Sequence, residues 1–255
     1  MKQGIDITLT TWKEVKDKTY DLAILPWGAT EPHNLHLSYG TDSILSYEIA
    51  CLAAEKAHAK GLRCIVLPVV PMGSQNPGQT NLPFCIHARY ETQRAILTDF
   101  VTSLYRQELR KLVIVNGHGG NNFRNMIRDL AIDYPDFQIA VTDWYTIEKG
   151  IDYFAETGEH ADEMETSVMM YFHPEWVLPL KEAGDGKSKT FSIAALKNKQ
   201  AWIPRHWTKV STDTGIGNPK SANAEKGGKF AESVTNQLAQ FLCDFAKTNL
   251  NDLYE

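Results

Sequence analysis

Short apolar runs alternate with amphipathic stretches through the first 141 residues of the chain. The predicted strands are residues 22–26, 64–70, 112–116 and 138–141, and the predicted helices between them are residues 42–59, 90–109 and 121–132. Each apolar run is short and almost free of charge, as is typical of strands buried on both faces of a parallel sheet. The pattern therefore predicts an α/β fold, a three-layer α/β/α sandwich with a mostly parallel sheet.

The remainder of the chain is predicted to add one exposed segment and one long helix. Residues 181–200 are polar and rich in Gly and Lys, which favours an exposed loop or flap. Residues 221–247 are predicted to form a helix with one apolar stripe, made of Phe230, Val234, Leu238, Phe241 and Phe245. No linker-like composition divides the sequence, so residues 1–255 are expected to form a single domain.

Composition and charge exclude several classes of partner. The chain has 26 Lys and Arg against 31 Asp and Glu, and the basic residues are scattered, so no surface for nucleic acid or an anionic membrane is expected. No window approaches 18 apolar residues, which argues against a membrane span. The N-terminal residues lack the apolar core of a signal peptide, and the four cysteines form no CxxC pair. Reduced thiols and a cytoplasmic location are therefore expected.

Metal-ligand residue types collect directly after the first predicted strand. Glu31, His33, His36 and Asp42 lie within twelve residues, and carboxylate together with imidazole suits Zn²⁺, Mn²⁺ or Fe²⁺ better than Ca²⁺. Glu31 and His33 point to the same side of an extended segment, and Asp42 at a helix start can turn back toward them. The plainer alternative is a polar loop in which Glu31 caps a helix and the histidines are solvated. The density of ligand types at a strand end favours the metal.

A second candidate follows the third predicted strand, where His118 stands among glycines. The carboxyl ends of parallel strands meet at one edge of the sheet, so His118 is expected to lie near the first group. A phosphate-binding loop is disfavoured because the segment has no Lys at the P-loop position and no GxGxxG pattern. A purely structural Gly-rich turn remains the alternative.

A third segment, His160–Ser167, combines a histidine with several acids before a predicted helix. Taken alone, Asp162 and Glu163 are ordinary first-turn acids that complement the helix dipole.

Together the three segments resemble the creatininase (creatinine amidohydrolase) family. They stand here as GATEPHNLHLSYGTD from Gly28, NGHGGN from Asn116 and HADEMETS from His160, in the order that the family has them. The resemblance implies a three-layer creatininase-like fold, two divalent metal ions (Zn, Mn or Fe), a small-molecule substrate and a homo-oligomer, often a homohexamer.

The resemblance also implies roles for individual residues. Glu31, Asp42 and His118 would hold one ion, and His33 with Asp42 the second, so that Asp42 bridges them. His160 matches the catalytic histidine of the family. Creatininase carries a Glu where this chain has Gly120, and Glu165 is predicted to supply the missing ligand.

The mechanism predicted from this resemblance is attack of a metal-bridging hydroxide on the carbonyl of a cyclic amide or a related C–N bond. His160 would carry the proton to the leaving nitrogen. His36 is expected to orient a metal ligand or to pack the loop rather than to bind an ion itself. Ser74 and Gly119 are candidate substrate contacts, as is Trp144, for which a plain core position is an equal alternative.

The sequence is also compatible with other functions. Within the same scaffold, the chain resembles formamide deformylases, a peptide-trimming maturase and a hydrolase of a cyclic ketone in inositol catabolism. From a different class, it could be a non-catalytic metal-containing protein that binds a small molecule, in which protein side chains would fill every metal position. Redox chemistry on a nicotinamide or flavin is disfavoured because no dinucleotide fingerprint follows a strand.

Overall fold

The computed structural model describes residues 4–156, 158–249 and 253–254. Its sheet has four strands: β1 (Leu22–Trp27), β2 (Cys64–Val66), β3 (Lys111–Asn116) and β4 (Gln138–Asp143). The strands run parallel in the order β2-β1-β3-β4. The parallel α/β sheet predicted from the apolar runs is thereby confirmed.

Helices cover both faces of this sheet. In chain order the helices are α1 (Trp12–Val15), α2 (Thr41–Ala59), α3 (Tyr90–Arg106), α4 (Arg124–Asp133), α5 (Glu163–Phe172), α6 (Ala194–Lys197), α7 (Trp207–Val210) and α8 (Ala224–Lys247). Leu22 and Ile24 of β1 pack toward α2, α5 and α8, whereas Ala23 and Leu25 pack toward α3 and α4. This alternation follows from the two-residue period of a strand, and it produces one apolar layer on each side of the sheet.

The strand order places a crevice between β1 and β3. From β1 the chain first crosses to β2 on one side and then passes to β3 on the other side. Trp27 at the end of β1 pairs with Asn116 at the end of β3. Connections that leave these two ends diverge onto opposite faces of the sheet, and ligands of open α/β sheets bind at such a point. The loops that carry Glu31 and His118 both begin here.

Several predicted boundaries differ from the structure; for example, α3 ends at Arg106 instead of residue 109, and α4 begins at Arg124 instead of residue 121. The second strand ends at Val66 instead of residue 70, because Pro68 has no N–H for the ladder, and only an isolated bridge between Val70 and Trp27 continues it. Helix α2 begins at Thr41 instead of residue 42, and Gly40 occupies its cap position. Helix α8 begins at residue 224 because Asn223 caps it.

The apolar stripe of α8 also differs from the prediction at its C-terminal end. Phe241 is 40% exposed and stacks on Phe245 with 5.5 Å between ring centroids, while Leu242 is buried in its place. The 3.6-residue period moves the buried stripe by one position over this length of helix. Residues 181–200 are largely exposed, as predicted, although α6 lies within them. No helix in the described ranges combines the length and apolarity needed to cross a bilayer.

Candidate metal centre

Five potential ligands meet at the carboxyl ends of β1 and β3. Glu31 and His33 lie in the loop after β1, and Asp42 lies in the first turn of α2. His118 follows β3, and Glu165 lies in the first turn of α5. None of the five is more than 8% exposed. The sheet edge thus collects three carboxyl groups and two imidazoles in one buried space.

Asp42 stands at the centre of this group. Its Oδ1 lies 3.1 Å from Nε2 of His33, and its Oδ2 lies 3.0 Å from Nδ1 of His118. Oε1 of Glu31 is also 3.0 Å from Nδ1 of His118. Three sets of donor atoms could each hold an ion, with the atoms of a set within 4.8 Å of one another: Glu31, His33 and His160; Glu31, Asp42 and His118; and His33, Asp42 and Glu165. Asp42 contributes to the last two sets.

Backbone carbonyls fix which nitrogen of each imidazole faces the centre. Nδ1 of His33 donates to the carbonyl of Glu31 at 3.0 Å, and Nε2 of His118 donates to the carbonyl of Ser74 at 2.7 Å. A carbonyl oxygen can only accept, so these nitrogens carry protons. Nε2 of His33 and Nδ1 of His118 are therefore the nitrogens available to a cation.

The charges of the site are strongly coupled. Burial opposes the protonation of His33, yet the nearby carboxylates, Asp42 foremost, raise its pKa to about 10. The pKa of His118 is likewise held well above its ordinary value by Glu31 and Asp42. Burial works against the ionisation of Asp42, but the two imidazoles hold the pKa of its carboxyl far below the usual range. Without metal, imidazolium protons neutralise the buried carboxylates.

The pKa of Glu165 is raised, whereas the pKa of Asp42 is lowered. Asp162 caps α5 by accepting the N–H of Glu165 at 3.0 Å, and the Glu165 carboxylate accepts the N–H of Ala161. Ala161 adopts a left-handed conformation with φ 51°, which is uncommon for a residue other than Gly and turns the chain between His160 and α5. Burial raises the pKa of Glu165 to about 8, and the charge of Asp42 acts in the same direction.

The donor set fits a transition-metal cation. Imidazole nitrogen with carboxylate oxygen suits Zn²⁺, Mn²⁺ or Fe²⁺. Oδ2 of Asp42 is buried and receives no hydrogen bond of good geometry within the described part of the chain. The charge of this oxygen is offset by the His118 imidazolium 3.0 Å away, and a metal ion held by both atoms would take over that role.

His160 lies at the edge of the same space. Its Nε2 donates to the carbonyl of Pro32 at 3.0 Å, which leaves Nδ1 3.7 Å from Oε1 of Glu31. Its ring lies against that of His33, with centroids 4.2 Å apart, and meets the Trp207 ring edge-on at 5.3 Å. Burial and the positive charge of His33 lower the pKa of His160. The lowered pKa favours the neutral imidazole, whose Nδ1 can accept a proton.

Two residues next to the proposed ligands are His36, which was predicted from the sequence, and Gln79, which was not. Nε2 of His36 hydrogen-bonds Oγ1 of Thr166, the residue that follows Glu165, at 2.8 Å. The buried side chain of Gln79 donates to Oε2 of Glu31 and accepts the backbone N–H of Asn76 at 2.7 Å. Sequence reasoning missed Gln79, because one amide in a turn-rich loop gives no signal before the loop is folded onto Glu31.

Two predicted substrate contacts do not fit their positions. The hydroxyl of Ser74 donates to the carbonyl of Ala88 at 3.3 Å and accepts from Gln93 at 2.8 Å, so only its main chain serves the site. Trp144 is fully buried and packs edge-on against Phe230, which removes its ring from any substrate. The core alternative for Trp144 was therefore the correct one. The Ser74 side chain thus ties its loop to Ala88 and Gln93, and the Trp144 side chain packs in the core.

The two glycines after His118 differ in how much space surrounds them. Gly119 is exposed, and a Cβ placed on it would meet only the Tyr145 hydroxyl, at 3.6 Å. A Cβ on Gly120 would overlap the carbonyl oxygen of Ser74 and come within 2.5 Å of Nε2 of His118. A glutamate could not occupy position 120 in this backbone without breaking the bond that orients His118.

Comparison with known proteins agrees with this geometry. The family model described as "Creatininase: Creatinine amidohydrolase" matches residues 8–242. A mycofactocin precursor peptide peptidase of Mycobacterium ulcerans (strain Agy99) is 27% identical over 224 residues, covering 85% of this chain and 82% of the relative. Creatinine amidohydrolase of Pseudomonas putida is 26% identical over 262 residues, covering 94% and 96%.

A solved structure gives a closer match. The crystal structure of a candidate creatinine amidohydrolase from Bacteroides fragilis NCTC 9343 superposes with a TM-score of 0.96 at 54% identity, over 100% of both chains. The motifs, the family model and this superposition agree over nearly the whole sequence. The chain therefore belongs to the creatininase family of metal-dependent amidohydrolases.

Proposed function

We propose that this hydrolase uses two divalent metal ions to cleave a C–N bond of a cyclic amide or a related small molecule. The observation that carries the proposal is the division of the Asp42 carboxylate between two donor groups. Glu31 and His118 complete one group, and His33 and Glu165 complete the other. A single carboxylate shared in this way is the arrangement expected of a ligand that bridges two ions.

The ions would be Zn²⁺, Mn²⁺ or Fe²⁺. Bound there, they would lower the pKa of water toward neutrality and polarise the carbonyl that is attacked. Three carboxylates offer enough negative charge to stabilise two such cations in a buried space. A solved creatininase that shares this fold, with a TM-score of 0.78, is a manganese form.

His160 is the group proposed to move protons. It is buried and neutral, and its Nε2 is anchored to the carbonyl of Pro32, so Nδ1 is the nitrogen that can accept a proton. Nδ1 also faces the ligand Glu31 at 3.7 Å, next to one proposed ion. From this position His160 would take a proton and pass it to the leaving nitrogen.

The relatives are named for different substrates. The mycobacterial relative is named for a precursor peptide and the Pseudomonas relative for creatinine. Gly120 favours a substrate other than creatinine, because the glutamate that creatininase carries at this place has no room here. A formamide, a cyclic ketone or a short peptide is therefore an alternative substrate. We further expect a cytoplasmic homo-oligomer, up to a hexamer.

The proposal is tested on purified protein with its metal content measured. Wild type, Asp42→Ala and the exposed control Asp133→Ala are compared by elemental analysis and by hydrolysis of creatinine, formamides, cyclic ketones and short peptides. We expect Asp42→Ala to lose both metal and activity, and Asp133→Ala to keep both. An Asp42→Ala protein with wild-type metal and activity contradicts the bridging role. If the wild-type protein binds metal but hydrolyses none of these substrates, and if protein side chains fill every coordination position, the non-catalytic binder is favoured.

A further inference from the structure

The turn after β4 separates two adjacent aromatic side chains. Trp144 enters the core beside Phe230, and Tyr145 remains half-buried on the other side of the turn. Their rings meet edge-on, with centroids 5.9 Å apart and an interplanar angle of 84°. The turn is fixed by Thr146, whose hydroxyl donates to the carbonyl of Asp143 at 2.8 Å. Tyr145 is therefore held in place by packing and not by its own hydroxyl.

The hydroxyl of Tyr145 lies above the metal-site loop. Gly119 directly follows the proposed ligand His118, and a Cβ built on Gly119 would lie 3.6 Å from the hydroxyl, with no other atom within 4 Å. Any side chain at position 119 would occupy this space, so the glycine leaves it open in front of the phenol. The space is also open to solvent, because Gly119 is exposed.

The electrostatic surroundings connect this phenol to the ligands. Burial raises the pKa of Tyr145, and the carboxylates of Asp143, Asp42 and Glu165 raise it further. The phenol thus keeps its proton at neutral pH and can serve as a donor. Among the described residues, no protein group hydrogen-bonds this hydroxyl. A protonated donor near the cation site that no protein group engages can donate to an oxygen of a bound molecule.

We propose that the Tyr145 hydroxyl is a substrate-contacting hydrogen-bond donor, which binds the carbonyl oxygen of the amide over Gly119. This inference rests on the proposed function, since it places the substrate at the metal centre. A donor aimed at an oxygen that gains negative charge during attack stabilises the transition state more than the ground state. Tyr145 would then provide the contact that Ser74 and Trp144 cannot make.

The experiment uses acetohydroxamate, which binds divalent metal through oxygen and carries an amide-like carbonyl. Its dissociation constant for the Mn²⁺-loaded protein is measured by calorimetry for wild type, Tyr145→Phe and the control Tyr105→Phe on α3. Metal content and the thermal midpoint are measured alongside. We expect Tyr145→Phe to keep its metal and its midpoint but to bind the probe about tenfold more weakly, as loss of one hydrogen bond predicts. Tyr105→Phe should match wild type in probe affinity and metal content.

The outcomes separate the two proposals. Equal probe affinity for Tyr145→Phe and wild type, with metal present in both, overturns the role of Tyr145 and leaves the metal site intact. Loss of metal from Tyr145→Phe also overturns it, because the phenol would then act on the ions. A wild-type protein that takes up no Mn²⁺, Zn²⁺ or Fe²⁺ overturns the proposed function, and the Tyr145 proposal with it.

Discussion

Oδ2 of Asp42 lies 3.0 Å from Nδ1 of His118, although one residue begins a helix and the other follows a strand in a different crossover. The second oxygen of Asp42 faces His33 instead. Substitution of Asp42 and substitution of His118 should therefore lower the metal content by different amounts.

His118→Ala should retain about half of the metal bound by wild type, because His33, Asp42 and Glu165 remain as a second group. Asp42→Ala should retain little, because both groups lose a ligand. Elemental analysis of protein dialysed against metal-free buffer measures the difference. An equally complete loss in both variants would show that the two groups do not bind ions independently.

Gln79→Leu should weaken metal binding without removing a ligand. The Gln79 amide holds Oε2 of Glu31, and such supporting hydrogen bonds typically contribute about 10- to 100-fold to metal affinity. Competition with a chromophoric chelator measures the dissociation constant. Gln200→Leu, an exposed change of the same kind, is the matched control. Affinity equal to that of the control would mean that Glu31 needs no such support.

Gly120→Ala should destabilise the fold, and Gly119→Ala should not. A methyl group at position 120 meets the carbonyl of Ser74, which cannot rotate away, whereas at position 119 it makes ordinary contact. Overpacking of this kind costs about 1–3 kcal/mol. Urea unfolding of the two metal-free variants measures their free energies of unfolding. A smaller loss for Gly120→Ala than for Gly119→Ala would contradict the crowding inferred at His118.

The thiol of Cys85 should label slowly at neutral pH. Burial, together with the negative charge of Glu31, raises its pKa to about 11, so only about 0.1% is thiolate at pH 8. Because the thiolate is the reactive form, its iodoacetamide labelling rate should rise about tenfold per pH unit from pH 8 to pH 10. Mass spectrometry of the labelled peptide measures the rate, with Cys85→Ser as the blank. A rate that levels off near pH 9 would indicate an ordinary thiol.

Sequence reasoning predicted the sheet and the position of the ligands for the same physical reason. Short runs such as residues 112–116, rich in β-branched residues, favour buried strands, and the carboxyl ends of parallel strands meet at one edge. That rule was sufficient to expect Glu31, Asp42 and His118 in one place, as the structure has them. Their roles as metal ligands remain predictions.

The sequence could not predict which atoms each loop turns inward. Ser74 supplies its carbonyl and not its hydroxyl, and this depends on how residues 73–88 close over His118. Trp144 and Tyr145 are both aromatic and amphipathic, so their pattern does not tell which one enters the core. A single short turn decides between them, and turn geometry is set by tertiary contacts that have no local signal.

The main chain supplies the acceptors that orient the rings of His33, His118 and His160, through the carbonyls of Glu31, Ser74 and Pro32. Every amino acid carries such an oxygen, so drift in neighbouring side chains leaves the tautomers untouched as long as the path of the loops is kept. The side chains that line the centre can then be exchanged, and its shape changed, while the three rings keep their orientation.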